Sequence, residues 1–229
     1  MTTMNLQLVD NIHILTLTNA DNGGDNSFTS EVIHEYLAAL DCVEKYSGNT
    51  ALLLTCEHKK TFSTGINLDW LTQQNDKGRV EFLLAFETLL CRFALLNAPT
   101  VACINGNAYA GGAILASAAD YRLMRSDRGR FCFPEVNINI PFTPVTNDIV
   151  QLLPNKQALK HMMLMGTAYT GEQCAELDIV DSIYPASELQ TQAVALATSL
   201  AEKDRNTFST IRNLMRPAIQ AHLNRLTTQ

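Results

Sequence analysis

Two short, almost wholly apolar runs, ALLLTC (51–56) and PTVACIN (99–105), constrain the fold more than any other feature of the chain. A strand with one face in water alternates apolar and polar residues, and these runs do not, so they read as strands covered on both faces. Between them VEFLLAFETLLCRFALL (80–96) is long and apolar enough for a core helix. Upstream, LQLVDNIHILTLT (6–18) alternates on either side of Asp10-Asn11, as a β-hairpin does. The turn-rich loop NADNGGDNS (19–27) follows it. In SFTSEVIHEYLAALDCVEKY (27–46), Val32, Ile33, Tyr36, Leu37, Leu40 and Val43 recur at helical spacing, with Thr29 or Ser30 available as N-cap. Strands alternating with helices in this order imply α/β crossover units.

The second half changes character. After YRLM (121–124) and RFCFPEV (130–136), helical stretches are expected near 145–153, 156–165, 171–177 and 188–203, with a last one from about 207 to 224. Pro141, Pro144 and Pro154 punctuate the change. The expectation is one domain over 1–229, with a β-rich core to about 142 and a helical C-terminal subdomain over about 143–229. No internal repeat is visible.

Charge narrows the function. The 229 residues carry a net charge of −6, and Lys59-Lys60 is the longest basic run, so neither nucleic acid nor an anionic membrane is an expected partner. Six cysteines include no C-x-x-C pair, and most lie in apolar segments, which suits buried reduced thiols. The N-terminus lacks a charged segment followed by an apolar one, and no apolar stretch approaches a membrane span. A soluble, cytoplasmic protein is expected.

Chemistry is expected where strands run into small residues. FSTGINL (62–68) leaves the first buried strand through Ser63, Thr64 and Gly65. NGNAYAGGAILASAAD (105–120) leaves the second and places Gly111 and Gly112 at a helix N-terminus, where backbone N–H groups lack partners. Small residues there could equally serve to let the helix lie close to the sheet. Taken together, the two segments can each offer an N–H, and two donors converging on one oxygen form an oxyanion hole.

These segments resemble the crotonase (enoyl-CoA hydratase/isomerase) superfamily. FSTGINL is similar to its FSxGxDL stretch, PTVACINGNAYAGGAILASAADYRLM to PxIAAVNGxAxGGGxxLALACDxRxA, and RFCFPEVNINIPFTP to FxxPEVxxGIxP. Asn26 matches a family asparagine before the first helix, whereas Asn67 stands where Asp is usual. The resemblance implies an α/β crotonase (ClpP-like) spiral of β-β-α units with a helical C-terminal subdomain, assembled as a homotrimer or dimer of trimers. It implies an acyl-CoA substrate whose thioester carbonyl is held by the N–H groups of Ile66 and Gly111, with Glu135 as the catalytic glutamate. Asn26, Phe62, Thr64, Gly65, Asn67 and Leu68 would surround the substrate on one side, and Tyr109, Ala110, Ile114 and Pro134 on the other. Lys59 or Lys60 is expected near the phosphates of coenzyme A. No metal or separate cofactor is expected, coenzyme A being part of the substrate.

Which reaction runs depends on position 114. Hydratases of the family carry a second glutamate three residues after the oxyanion-hole glycine, and here that place is Ile114. One glutamate beside an apolar wall suits a proton shuttle from C2 to C4, so a Δ3,Δ2-enoyl-CoA isomerase is expected. The alternatives are hydration, decarboxylation or thioester hydrolysis, or a non-catalytic acyl-CoA-binding member. Cys56-Glu57-His58 is not read as a triad, because consecutive residues of an extended segment face alternate sides. The remaining histidines lack metal-ligand spacing, and Met162, Met163 and Met165 are read as core packing.

Overall fold

A computed structural model of the chain describes residues 2–19 and 25–228. Strands β1 (Met4–Val9) and β2 (Ile12–Leu17) form the antiparallel hairpin, with Met4 opposite Leu17 and Asp10 in the left-handed conformation at the turn. Helix α1 (Ser30–Lys45) follows, its first turn capped by Thr29, whose hydroxyl accepts from the Val32 N–H. Of the 19–27 loop, residues 20–24 lie outside the described residues.

Three turns of one pattern then build the core. The first comprises β3 (Ala51–Cys56), β4 (Thr61–Ser63), α2 (Leu68–Thr72) and α3 (Asp76–Ala94). Next come β5 (Thr100–Ile104), β6 (Asn107–Tyr109) and α4 (Gly111–Ala118). The third is β7 (Tyr121–Arg125), β8 (Arg130–Cys132) and a single 3-10 turn, Glu135–Asn137. The first strand of each turn joins a sheet ordered β1-β2-β3-β5-β7-β10, and the second joins another ordered β4-β6-β8-β9. Each β-β step therefore carries the chain from one sheet to the other, and the helix after it covers the core.

The large sheet explains the two apolar runs. On β3, Leu52 and Leu54 face the main core with α1 and α3, while Ala51 and Leu53 face a second cluster with Ala193 and Ala197. Both faces are covered, so no polar residue is needed at alternate positions.

The C-terminal part contains α5 (Pro144–Val150), α6 (Lys156–Met165), β9 (Tyr169–Thr170) and α7 (Gly171–Glu176). After these come β10 (Ser182–Tyr184), α8 (Ala186–Ala201), α9 (Arg205–Leu214) and α10 (Pro217–Thr227). It is thus less purely helical than the sequence suggests: β9 pairs with β8 and β10 with β7, completing both sheets. The stretch read as one last helix is two, because Pro217 has no N–H to continue α9 and instead occupies the first turn of α10. Helix α3 begins before the expected residue 80, at Asp76, where the Asn75 side chain accepts from Gly78 N–H. Two further expectations fail locally: Cys42 is exposed on the outer side of α1, and Met165 is exposed while Met162 is buried.

Arginines dock the last helices. Arg205 donates to the carbonyls of Val43 and Tyr46 at the end of α1, and Arg212 to those of Leu96 and Ala98 just after α3. Arg216, between α9 and α10, donates to Ala94 and Ala118, the final residues of α3 and α4. Three helix C-termini, each with orphan carbonyls and the negative end of a dipole, are satisfied by one short segment.

Candidate active site

Phe28, just before α1, pairs as a parallel bridge with Ile66: its N–H donates to the Gly65 carbonyl, and its carbonyl accepts from the Asn67 N–H. In such a bridge the flanking residues supply the hydrogen bonds, so the N–H of Ile66 itself points to the opposite side. Gly65, at φ +86°, makes the bend that turns it there.

Gly111 is the first residue of α4, so its N–H lies outside the helix ladder. A Cβ on Gly65 would sit 2.5 Å from the Gly111 nitrogen, and one on Gly112 would sit 2.5 Å from the Ser63 carbonyl oxygen. The two segments touch through backbone, which only glycine permits, and Ile66 and Gly111, next to this contact, line one cavity. Ala110, before them, is held at φ 48° and ψ −128°, a region costly for any residue with a Cβ. The strained peptide at the mouth of α4 is thus imposed by its surroundings.

The cavity lined by Ile66 and Gly111 has a volume of about 410 Å³. Its walls are α4 with Ile114, α3 with Leu83 and Phe86, and the segment after β8 with Ile138, Ile140 and Phe142. Glu135, at the start of the 3-10 turn, lies in the same lining, and its side chain is 6 % exposed. Its Oε2 has no hydrogen-bond partner among the described residues, and burial pushes its carboxyl up to about 7 from the ordinary 4.5. A carboxyl raised this far is found in both protonation states near neutral pH.

Of the residues singled out in the sequence, Thr64, Ile66, Leu68 and Ala110 line this cavity with Gly111, Ile114, Pro134 and Glu135. The others stand behind the wall. Asn26 is buried and donates from Nδ2 to the Phe62 carbonyl at 2.9 Å, tying the loop before α1 to β4, where Phe62 is fully buried. Asn67 caps α2, its Oδ1 accepting from Trp70 N–H at 2.9 Å, a role that Asn and Asp fill equally well. Gly65 acts through the bend described above, and Tyr109 lies half-buried in β6.

Sequence reasoning missed the α3 wall, and above all Glu87, a second carboxylate in the lining. The only signal for it was a charged residue directly after Phe86 in an otherwise apolar helix. Lys59 is not on this cavity. It lines a separate one of about 620 Å³ with Thr55, Cys103 and Arg125. Among the described residues no group of three His, Cys, Asp or Glu side chains is placed to hold a metal ion, and no helix is long and apolar enough to cross a membrane.

Successive β-β-α turns, with a strand bend at Gly65 packed against a helix start at Gly111, define the architecture, and comparison with known proteins identifies its family. Residues 10–229 match the enoyl-CoA hydratase/isomerase family, and the chain belongs to it. It is 31% identical to enoyl-CoA delta isomerase 3 of Arabidopsis thaliana, with 91% of this chain and 90% of the relative covered. Identity is also 31% to a putative enoyl-CoA hydratase of Thermus thermophilus, over 85% of this chain and 77% of that protein. Among solved structures, an enoyl-CoA hydratase/isomerase family protein of Pseudomonas syringae superposes with a TM-score of 0.87 at 22% identity, covering 98% of this chain and 95% of that one. The fold is therefore the crotonase fold.

Proposed function

We propose that this protein is a cytoplasmic Δ3,Δ2-enoyl-CoA isomerase in which Glu135 is the single proton carrier. The carrying observation is the pairing of a buried, unpartnered Glu135 with an apolar Ile114 at the neighbouring wall. In the proposed reaction the thioester oxygen of a 3-enoyl-CoA accepts from the Ile66 and Gly111 N–H groups. Glu135 takes a proton from C2, and the electrons of that C–H bond spread over C2, C4 and the oxygen as a dienolate. The same proton returns at C4, leaving the double bond between C2 and C3 and Glu135 ionised again. Each oxyanion donor is worth about 3 kcal/mol in such a step. A carboxyl that titrates near 7 suits both halves, because the proton is neither too tightly nor too loosely held.

Hydration is the competing reading, and one observation favours it: Glu87 gives the cavity a second carboxylate. It comes from α3 and not from position 114 of α4, where the Ile114 side chain offers no group to orient a water. The assay that decides is turnover of 3-enoyl-CoA against hydration of 2-enoyl-CoA, with Glu135→Gln beside the parent protein. Isomerisation should be faster than hydration and should fall at least 10²–10⁴-fold in the variant while acyl-CoA still binds. Faster hydration by the parent, or full isomerase activity in the variant, defeats the proposal.

A further inference from the structure

Glu87 has no part in the reaction above, yet it occupies a defined place. The same side chain lines a second, smaller cavity of about 190 Å³, shared with Leu84, Pro144, Val145, His222 and Arg225. Glu87 thus lines both the 410 Å³ cavity and the 190 Å³ cavity. Thr64 and Ile66 come to the larger cavity from the β4–α2 segment, whereas Glu87, Thr143 and Thr146 come from where α3 meets α5. Among the described residues Glu87 makes no hydrogen bond and no ion pair. The hydroxyls of Thr143 and Thr146 are engaged with each other in the α5 capping box. Beyond Glu87, Arg225 contacts His222, whose Nε2 meets the Asp148 carboxylate at 2.7 Å.

The larger cavity sets the apolar side chains of Ile114, Phe86 and Phe142 beside the one charged residue of α3 in its lining, Glu87, so an acyl chain running from Gly111 towards α5 lies among apolar groups except where it meets Glu87. Past that point a methylene would strip water from an unpaired carboxylate, and then from a guanidinium, and return no hydrogen bond to either. We infer that Glu87 is a specificity-determining residue that closes the acyl end of the cavity and limits substrates to short and medium unfunctionalised acyl chains. The inference rests on the acyl-CoA reading of the site but not on the reaction proposed for it.

The test uses binding of saturated acyl-CoA esters, which lack the double bond that is moved, from butanoyl- to hexadecanoyl-CoA. Calorimetry is run on the parent protein, Glu87→Leu and Glu87→Gln. In the parent, affinity should rise with chain length and then level or fall once the chain meets Glu87. Glu87→Leu joins the two cavities through an apolar wall and should raise the hexadecanoyl-to-butanoyl affinity ratio at least tenfold. Glu87→Gln keeps the volume without the charge and should give part of that gain; it also carries the test if the leucine variant does not fold. Identical chain-length profiles in the parent and the folded variants overturn the inference. If the parent binds acyl-CoA but does not isomerise 3-enoyl-CoA, the reaction proposal fails and the chain limit is still read. If no acyl-CoA binds at any length, both fall.

Discussion

The energetics of the site concentrate in one side chain. Glu135 is buried without a partner for Oε2, so its charged form is the one the fold disfavours. Because its carboxyl is raised to about 7 from 4.5, the folded chain holds the proton more tightly than the unfolded chain does. The stabilisation from this group is therefore complete below the ordinary carboxylate range and is lost as pH rises through about 7. A rise of that size corresponds to about 3 kcal/mol. Glu135→Gln should accordingly be more stable than the parent by about 1–3 kcal/mol in urea titrations near pH 8, the difference vanishing near pH 4. Isomerase activity should run the other way, with kcat/KM falling as the pH drops through about 7, because the base must be ionised. A pH-independent stability difference would show that the carboxyl is solvated.

Among the elements, α9 ties most of the others together. Arg212 and Asp120 are 5 % and 6 % exposed, and Arg216 reaches the same carboxylate at 2.9 Å. One buried Asp thus serves two guanidiniums, and their remaining donors satisfy the carbonyls that end α3 and α4. Removing Arg212 leaves the carbonyls of Leu96 and Ala98 bare and Asp120 half-compensated. Arg212→Ala should therefore cost about 3–5 kcal/mol in chemical denaturation, as expected for breaking a buried ion pair from one side. Arg212→Lys should recover only part of it, since an ammonium cannot reproduce the fork that spans Leu96, Ala98 and Asp120. A loss under about 1 kcal/mol would mean that water replaces the guanidinium at little cost.

For the whole molecule, the family resemblance implies association of copies, and α9 and the turn after it present an unpartnered apolar face. Leu214 and Met215 are 79 % and 76 % exposed, with Ile211 beside them on the same helix. Contiguous exposed apolar side chains on a soluble chain mark contact surfaces. We expect a trimer or dimer of trimers by light scattering at micromolar concentration, and we expect the double substitution Leu214→Glu with Met215→Glu to shift the population to smaller species. A monomeric parent protein would refute this.

Local patterning decided much of the fold in advance. The doubly covered strands, the β-hairpin, the capped α1 and the start of α4 at Gly111 follow from hydrophobic periodicity and small-residue punctuation, which act over a few residues. The same local chemistry marked Ile66, Gly111, Ile114 and Glu135, which the fold then gathers on one cavity. Only the tertiary structure could place Glu87 opposite them, because its side chain meets the cavity through the packing of α3 on α5 and not through any neighbour in sequence. It alone drew β9 and β10 into the two sheets and collected three helix ends onto Arg205, Arg212 and Arg216. Each of these depends on contacts between residues far apart in the chain, whose energy exists only after the intervening segments have packed.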